Sequence, residues 1–397
     1  MFLDDSFPPD SRVENEAFSL VRAGHEVFLF SLDYKSQAKP KENIRGIQVC
    51  RYASGKLIYK LSALAYTIPF YHQLISNKIR HFLMEIQPDV LHIHDMLMAQ
   101  AVMDVNEKQT KPIPVVLDLH ENRPEIMQYY PHLQKFPGKF LIKVDRWRKK
   151  QVELIKRADK VILVTPEAVK VAMNQSGEPY SKFIVVPNTI EKDIYFNYPI
   201  DQKLQKRFKK GFDIVYVGDT GLRRGTDTAI RAMKKVIEQV PQAQLILVGK
   251  SSEEQTLLEL VDELGLSAYV AFEGWQDVST FPSYIWGAEV CISPLKRNLH
   301  HDTTYANKIF QYMAGKRPLL VSDCDSQAVL VKSLACGLVF EADNAEAMAQ
   351  SLIFLYKNPT QAREMGERGF DAVSETYHWE ETSKELLALY ASSFSDQ

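Results

Sequence analysis

A short polar segment in the last quarter of the chain has the residue types of a phosphate-binding site. Asp302, Thr303 and Thr304 are candidates for capping the start of a helix, with Asn307 and Lys308 in its first turn. The unpaired N–H groups at a helix start, next to a lysine, attract a phosphate group. The alternative is an ordinary capped helix whose Lys308 is solvated.

A glycine-rich loop, residues 218–226, has complementary chemistry. Gly218 and Gly221 let the backbone approach a ligand closely, and Arg223 and Arg224 offer planar donors that suit a diphosphate. We expect this loop and the helix start to form one anion pocket. The alternative is a glycine-rich turn whose arginines are solvated.

Both segments follow strand-like runs in a chain that alternates between β-branched runs and helical patterns, which is typical of parallel sheets covered on both faces. The first series of runs is 1–6, 26–31, 47–50, 89–94, 114–118, 160–164 and 183–186. The second is 213–218, 244–249, 269–272, 289–293, 318–322 and 338–340. We therefore predict an α/β protein with two doubly wound, Rossmann-like domains facing a cleft. Ligands of such domains bind outside the carboxyl ends of the strands.

Length and composition agree with two globular domains, because 397 residues exceed what one hydrophobic core usually organises. The net charge of -2 argues against a nucleic-acid partner. The four cysteines are far apart and form no CxxC pair, so we expect neither a disulfide nor a metal cluster. The acidic start at Asp4 and Asp5 and the absence of a long apolar run predict a cytoplasmic protein without a signal peptide or membrane span.

The order of the motifs resembles a known family. The motifs of the second half are Gly218…Arg224-Gly225, Leu247-Val248-Gly249, Phe272-Glu273-Gly274-Trp275, Cys291-Ile292-Ser293-Pro294 and the run from Asn307 to Pro318. Those of the first half are Asp5-Ser6-Phe7-Pro8-Pro9, Arg22-Ala23-Gly24-His25-Glu26-Val27, Asp89-Val90-Leu91-His92-Ile93-His94, Leu117-Asp118-Leu119-His120-Glu121, Arg157-Ala158-Asp159-Lys160-Val161 and Val185-Val186-Pro187-Asn188. In this order they resemble a group 1, family 4 glycosyltransferase, of the subset with an Asn-Lys-Ile-Phe-x-Tyr-Met-like donor motif.

The resemblance implies the GT-B arrangement, with a nucleoside-diphosphate sugar bound mainly by the second domain and a saccharide or lipid-linked acceptor by the first. It implies no metal and no other cofactor. The implied activity is transfer of a hexosyl or N-acetylhexosaminyl group to a hydroxyl, with retention, in cell-surface polysaccharide or glycolipid biosynthesis. Two alternatives stay open: a nucleotide-sugar epimerase or hydrolase of the same fold, and a catalytically silent scaffold that binds sugar nucleotides.

Residue roles follow from the resemblance position by position. The catalytic residues would be His120, Arg224 and Lys308. The donor-binding residues would be Gly218, Thr220, Gly221, Arg223, Gly249, Asp302, Thr303, Thr304, Asn307 and Gln311. The acceptor-binding residues would be Arg12, His94 and Glu121. For His120, the alternative is a histidine satisfied locally by the backbone.

The sequence departs from the family pattern at three positions. Asp219 stands where many members have an arginine, and the two family glutamates, which have seven residues between them, align with Thr303 and Gln311. An amide can still hydrogen-bond a ribose hydroxyl, and Asp302 could replace the first carboxylate from one residue earlier. We therefore expect an active enzyme.

The resemblance also bears on domain limits. We predict a first domain at 1–190, a linker at 191–212, a second domain at 213–375 and a terminal helix at 376–397 that packs back on the first domain. The basic, partly apolar segment 135–157 could dock on an anionic membrane at the inner face of the cell membrane. A solvated helix face over the sheet is the alternative.

Overall fold

The computed structural model describes residues 1–35, 38–67, 70–130, 133, 136, 138–207 and 211–393. The chain divides into two compact units, one of Met1–Pro187 with Ser383–Gln397 and one of Asn188–Thr382. Segment 191–212, predicted as a linker, therefore lies in the second unit, where it includes two short helices.

The first unit is built on an eight-stranded sheet. Its strands are β1 Phe2–Leu3, β2 Phe28–Asp33, β3 Lys41–Ile44, β4 Ile47–Ala53, β5 Leu91–His94, β6 Val115–Leu119, β7 Lys160–Leu163 and β8 Phe183–Val185. Their order is β3-β4-β2-β1-β5-β6-β7-β8. All paired neighbours are parallel except β3, which runs antiparallel to β4 at the edge. Strand β3 was not predicted from the sequence, because its side chains are largely polar and exposed.

Helices cover both faces of this sheet. They are α1 Ser11–Arg22, α2 Gly55–Ser62, α3 Phe70–Ile86, α4 Met96–Asn106, α5 Arg123–Met127, α6 Gly138–Leu141, α7 Val144–Arg157, α8 Pro166–Ser176 and α20 Lys384–Ser393, with a 3-10 turn at Tyr180–Lys182. Side chains set several helix ends: Asp10 accepts the N–H of Val13 at the start of α1, and Gly177 ends α8 in the left-handed region.

The second unit has a six-stranded, fully parallel sheet. Its strands are β9 Phe212–Val217, β10 Ala243–Val248, β11 Val270–Gly274, β12 Val290–Ser293, β13 Leu319–Ser322 and β14 Gly337–Phe340, in the order β11-β10-β9-β12-β13-β14. All six residues of β9 are buried, as expected for a strand covered on both faces. The chain reverses its strand order between β9 and β12, so the loops after these two strands flank the usual ligand position.

The helices of the second unit alternate with its strands. They are α9 Lys192–Tyr195, α10 Gln202–Arg207, α11 Thr226–Gln239, α12 Glu254–Glu263, α13 Phe281–Gly287, α14 Leu299–Asp302, α15 Lys308–Ala314, α16 Asp325–Leu334, α17 Ala345–Lys357, α18 Pro359–Glu375 and α19 Trp379–Thr382, with 3-10 turns at Leu222–Arg224 and Val278–Thr280. The terminal segment, predicted as one helix, is two helices, α19 and α20, separated at Ser383. In the described part of the chain, every helix is too short or too polar to cross a bilayer.

Candidate active site

The carboxyl ends of β9, β10 and β12 bring three loops of the second unit into contact. A methyl group added to Gly225 would lie 1.7 Å from the carbonyl oxygen of Pro294, and one added to Gly249 would lie 1.8 Å from that of Gly218. Gly225 and Gly249 also have positive φ values of 73° and 143°. Only glycine allows such close backbone approach, which is why a loop with Arg224 can be held tightly here.

Lys308 extends from the start of α15 toward the same loop. Its ammonium nitrogen lies 3.4 Å from the centre of the Tyr216 ring, and an added methyl group at Gly218 would lie 3.3 Å from it. Burial lowers the pKa of Lys308 well below its usual value, and repulsion from Arg224 and Arg223 adds to that effect. An anion bound beside these three cations would reverse the electrostatic penalty and favour the ammonium form.

The two arginines of the loop are held by Asp219. Its Oδ2 accepts hydrogen bonds from Nη2 of Arg223 at 3.0 Å and from Nε of Arg224 at 3.3 Å, while Oδ1 accepts the N–H of Gly221 at 3.0 Å. Burial alone would raise the pKa of Asp219, but these three donors outweigh it and lower the pKa. The loop thus already gathers its donors around one internal carboxylate.

The predicted helix cap is wrong. Helix α15 begins at Lys308 with Asn307 before it, and it has only seven residues. Asp302 ends α14 and binds Arg297 and the N–H of Asp325, with its Oδ1 3.3 Å from Nε of Arg297. The hydroxyl groups of Thr303 and Thr304 donate to carbonyl oxygens of the turn before them. The residue types are suitable for capping helix α15, but both threonine hydroxyl groups bond to the turn that precedes it.

The remaining predicted donor-binding residues lie along the same loops. Thr220 is buried, and its carbonyl oxygen accepts the hydroxyl group of Thr226 at 2.8 Å. Gln311 is half-buried on α15. Its backbone carbonyl oxygen accepts a hydrogen bond from the hydroxyl group of Tyr195 at 3.1 Å. The structure therefore brings Gly218, Arg224 and Lys308 together, and it uses Asp302 within the fold.

The first unit has a buried cluster of charges centred on Asp118. Arg12 donates to Oδ1 and Oδ2 of Asp118 at 3.0 and 3.1 Å, and its Nη2 lies 2.9 Å from Glu16. His120 lies on the other side, with Nε2 2.8 Å from Oδ2 of Asp118 and 3.1 Å from Nδ1 of His94. Arg12 was predicted to bind the acceptor substrate. It is only 3% exposed, and its guanidinium group orients Asp118.

Asp118 decides the charge of His120. Burial alone would lower the pKa of His120, but the attraction and hydrogen bond of Asp118 outweigh it and raise the pKa from 6.5 to about 9. Burial and the neighbouring His92 keep the pKa of His94 well below its usual value. At neutral pH His120 is therefore an imidazolium that can donate a hydrogen bond, whereas His94 is neutral.

One group in the described part of the chain has the donor set of a metal site. Glu16, His92, His94 and Asp118 each place one potential ligand atom within 4.8 Å of the others. Arg12 contacts both carboxylates of this group, at 2.9 and 3.0 Å. Because Arg12 and His120 already compensate the two negative charges, a divalent cation would meet repulsion from both.

His94 and His120 line a cavity of the first unit with a volume of about 540 Å³. It opens at the carboxyl ends of β1 and β5, and its remaining wall is rich in carboxylates and aromatic rings: Leu3, Asp4, Asp5, Asp10, Tyr59, Lys60, Ser62, Ala63, Asp95, Leu97, Arg123, Met127, Tyr130 and Trp147. Carboxylates and rings are the groups that hold sugar hydroxyls and sugar faces in proteins. Glu121, predicted to bind the acceptor, is instead an exposed residue outside this wall.

Two residues that shape the site, Asp118 and Asp219, are not among the predicted site residues. Asp118 lies two residues before His120, and strand alternation places both on the same side, so the pair could have been found from the spacing. Asp219 was noted only as a departure from the family pattern. Its contact with Arg223 depends on the turn at 220–222 and could not be found from spacing alone.

Two family models match the chain: "Glycosyl transferases group 1" over residues 199–371 and "Glycosyltransferase Family 4" over residues 11–194. Among related proteins, EpsD of Bacillus subtilis is 25% identical over 177 residues, which are 43% of this chain and 44% of EpsD. This chain therefore aligns with less than half of EpsD. The phosphatidyl-myo-inositol mannosyltransferase of Mycobacterium leprae is 22% identical over 80% of this chain and 76% of its own.

Solved structures agree on the fold. The sucrose-phosphate synthase of Thermosynechococcus elongatus has a TM-score of 0.77 at 19% identity, over 97% of this chain and 93% of its own. HepE of Anabaena, solved with UDP, has a TM-score of 0.69 at 14% identity, over 98% and 99%. The predicted GT-B fold, with two parallel-sheet α/β domains, is confirmed. The two matched family ranges do not overlap and together span most of the sequence, which supports a group 1, family 4 glycosyltransferase.

Proposed function

We propose that this glycosyltransferase moves a hexosyl or N-acetylhexosaminyl group from a nucleoside-diphosphate sugar to a hydroxyl acceptor, with retention and without a metal. The acceptor would be a growing polysaccharide or a glycolipid precursor, since a relative is named for transfer to phosphatidyl-myo-inositol. The observation that carries the proposal is the convergence of Arg223, Arg224 and Lys308 at the carboxyl end of β9.

Arg224 and Lys308 would bind the diphosphate of the donor. Breaking the bond between the sugar and the diphosphate leaves negative charge on the departing oxygen, and fixed cations stabilise that charge most where water is scarce. HepE, whose fold is similar, is solved with UDP. The second unit would therefore activate the sugar nucleotide. In the first unit, the imidazolium of His120 and the cavity beside it would hydrogen-bond the hydroxyl groups of a bound saccharide.

Thermal shift with UDP, GDP and their sugar conjugates tests donor binding. A ligand that binds only the native state stabilises it, by about 2.7 kcal/mol at a ligand concentration of one hundred times the Kd. The melting temperature rises as a result. We expect Arg224→Ala to reduce the shift strongly, whereas Arg231→Ala, an exposed arginine of α11, should keep it. An unchanged shift in the Arg224 variant would place the diphosphate elsewhere, and product analysis with a shifting sugar nucleotide separates transfer from epimerisation and hydrolysis.

We further propose that the first unit contacts an anionic membrane surface at the inner face of the cell membrane. Phe136, Phe140 and Leu141 are 83%, 69% and 44% exposed, and the exposed Lys143 and Arg146 follow them. Exposed rings beside cations suit the boundary between lipid headgroups and chains. Helix α7 itself covers the sheet, with Trp147 buried, and Lys135 lies outside the described residues.

Sedimentation with vesicles tests this contact. The double variant Phe136→Ser, Phe140→Ser should bind vesicles containing anionic lipid several-fold more weakly than the wild type. Tyr180→Ser removes another ring of the first unit, 65% exposed, and serves as the matched control. Equal binding of both variants and the wild type would contradict the membrane proposal without affecting the donor site.

A further inference from the structure

Asp95 has a backbone conformation that a residue with a side chain rarely adopts. It directly follows β5, with φ 62° and ψ 169°, a region that is almost restricted to glycine. Its N–H donates to the carbonyl oxygen of Asp118 at 2.8 Å, which fixes this conformation at the end of the strand. Glycine would fit the backbone better, so the presence of aspartate requires a reason in its side chain.

Helix capping does not supply that reason. Asp95 occupies the N-cap position of α4, where an aspartate normally accepts a hydrogen bond from the first turn. Among the described residues, no N–H group of α4 donates to its carboxylate. The carboxylate instead turns toward the cavity described above, where its Oδ2 lies 3.2 Å from Nη1 of Arg123.

The other carboxylate oxygen has no partner. Oδ1 of Asp95 is buried, and no donor among the residues that the structure describes reaches it. A buried carboxylate oxygen without a hydrogen bond costs stability, and such atoms are rare in native proteins. His94, completely buried on the same wall, likewise has Nε2 without a partner in the described chain. The fold therefore leaves hydrogen-bonding capacity unused in two residues of the cavity wall, although both atoms are closed to solvent in the empty cavity.

We infer that Asp95 is an acceptor-binding residue, whose carboxylate accepts a hydrogen bond from a hydroxyl group of a neutral saccharide bound in the cavity. The inference rests on the proposed function, because it assumes that the first unit binds the acceptor. The Asp95 side chain is 18% exposed and lines the cavity, Arg123 holds its Oδ2, and His120 lies on the same wall. A hydroxyl group can donate to this carboxylate without adding a second negative charge beside it.

The chain offers a matched control for the test. Asp343, in the second unit, is also an aspartate with positive φ, 61°, and its carboxylate lies 3.3 Å from the ammonium nitrogen of Lys296. We would compare the wild type with Asp95→Asn, Asp95→Gly and Asp343→Gly. The measurements are the melting temperature, the shift caused by nucleoside diphosphate, and the release of nucleoside diphosphate from a sugar nucleotide with and without neutral methyl glycosides.

The melting temperature shows that each variant folds, and both Asp95 variants should keep the nucleotide shift. They should lose at least tenfold of the glycoside-stimulated release, because the carboxylate that accepts the saccharide hydroxyl group is gone, whereas Asp343→Gly keeps it. A loss smaller than tenfold in both folded Asp95 variants, or an equal loss in Asp343→Gly, would overturn the inference.

Failure of the proposed function looks different. A wild type that binds no nucleoside diphosphate and releases none from any sugar nucleotide would refute the transferase proposal and the inference together. A wild type that binds nucleotide but is stimulated by no methyl glycoside would keep the donor site and overturn the assignment of the cavity to a neutral saccharide.

Discussion

Two half-buried basic side chains, His120 and Lys308, have pKa values that are shifted in opposite directions. Asp118 lies 2.8 Å from His120 and makes its charged form the stable one. Lys308 has an aromatic ring as its close neighbour, so burial and the nearby arginines favour its neutral form. Sequence identifies both as basic residues, but only their surroundings in the fold decide in which direction each pKa moves.

The stability of the first unit should depend on pH through His120. Its pKa rises from 6.5 unfolded to about 9 folded, so its contribution, roughly 3 kcal/mol, is complete below pH 6.5 and lost as the pH rises through 9. Chemical denaturation of the wild type and His120→Gln at pH 6 and pH 10 measures this. The difference between the two proteins should be large at pH 6 and small at pH 10. An equal difference at both values would contradict the ion pair with Asp118.

Replacing Lys308 should separate stability from binding. Because the pKa of Lys308 is lower in the folded protein than in the unfolded chain, its protonation penalises folding at neutral pH, and Lys308→Met removes that penalty. We expect a gain of about 1 to 2 kcal/mol at pH 7 and loss of the nucleotide shift. Lys234→Met, on the exposed side of α11, is the control and should change neither property.

Strands and helices of both units were largely predictable, because buried parallel strands appear as continuous β-branched runs. Strand β3 was missed since its polar, exposed side chains lack that pattern. The start of α15 was misplaced because Thr303 and Thr304 suit a helix cap and the closure of a turn equally well. The sequence identified the loops that carry the candidate site, but not which of their polar groups are already hydrogen-bonded within the fold.

Close packing of the loops after β9 and β12 should make Gly225 more sensitive than other glycines. An added methyl group there would lie 1.7 Å from the carbonyl oxygen of Pro294, whereas at Gly265, which also has positive φ, it would meet nothing within 4 Å. Urea unfolding should show Gly225→Ala to be less stable than Gly265→Ala by about 1 to 3 kcal/mol. Similar losses would mean that the backbone conformation alone, and not the contact, requires glycine.

The whole chain consists of two compact units with separate cores, and the end of the chain returns to the first of them. Helix α20 places the hydroxyl group of Tyr390 2.8 Å from Nδ1 of His92, beside the charge cluster of Asp118. The boundaries predicted from sequence stay a prediction, since alternating strands and helices mark the units but not the residue at which one core ends.

Ligand effects should therefore differ between the units. Hydrogen exchange of the full chain with saturating UDP or GDP should slow in the loops at 218–225 and 304–311 and stay unchanged in α20.

The Tyr390 contact should stabilise the first unit. Tyr390→Phe leaves a buried nitrogen of His92 without its partner and should cost about 1 to 3 kcal/mol of stability. Tyr356→Phe, which removes an exposed hydroxyl group of the second unit, is the control. Equal losses in both variants would contradict the importance of the Tyr390 contact.

Asp219 also bears on the end of a catalytic cycle. Its carboxylate lies four and five residues before Arg223 and Arg224 on the same loop, and both cations stay compensated while no ligand is present. A departing nucleoside diphosphate would be replaced at once by this tethered anion, and the arginines would keep their orientation for the next donor. At the proposed donor site, product release would thus be an exchange between a mobile anion and a resident one, and we expect the residue at position 219 to influence how fast the spent nucleotide leaves.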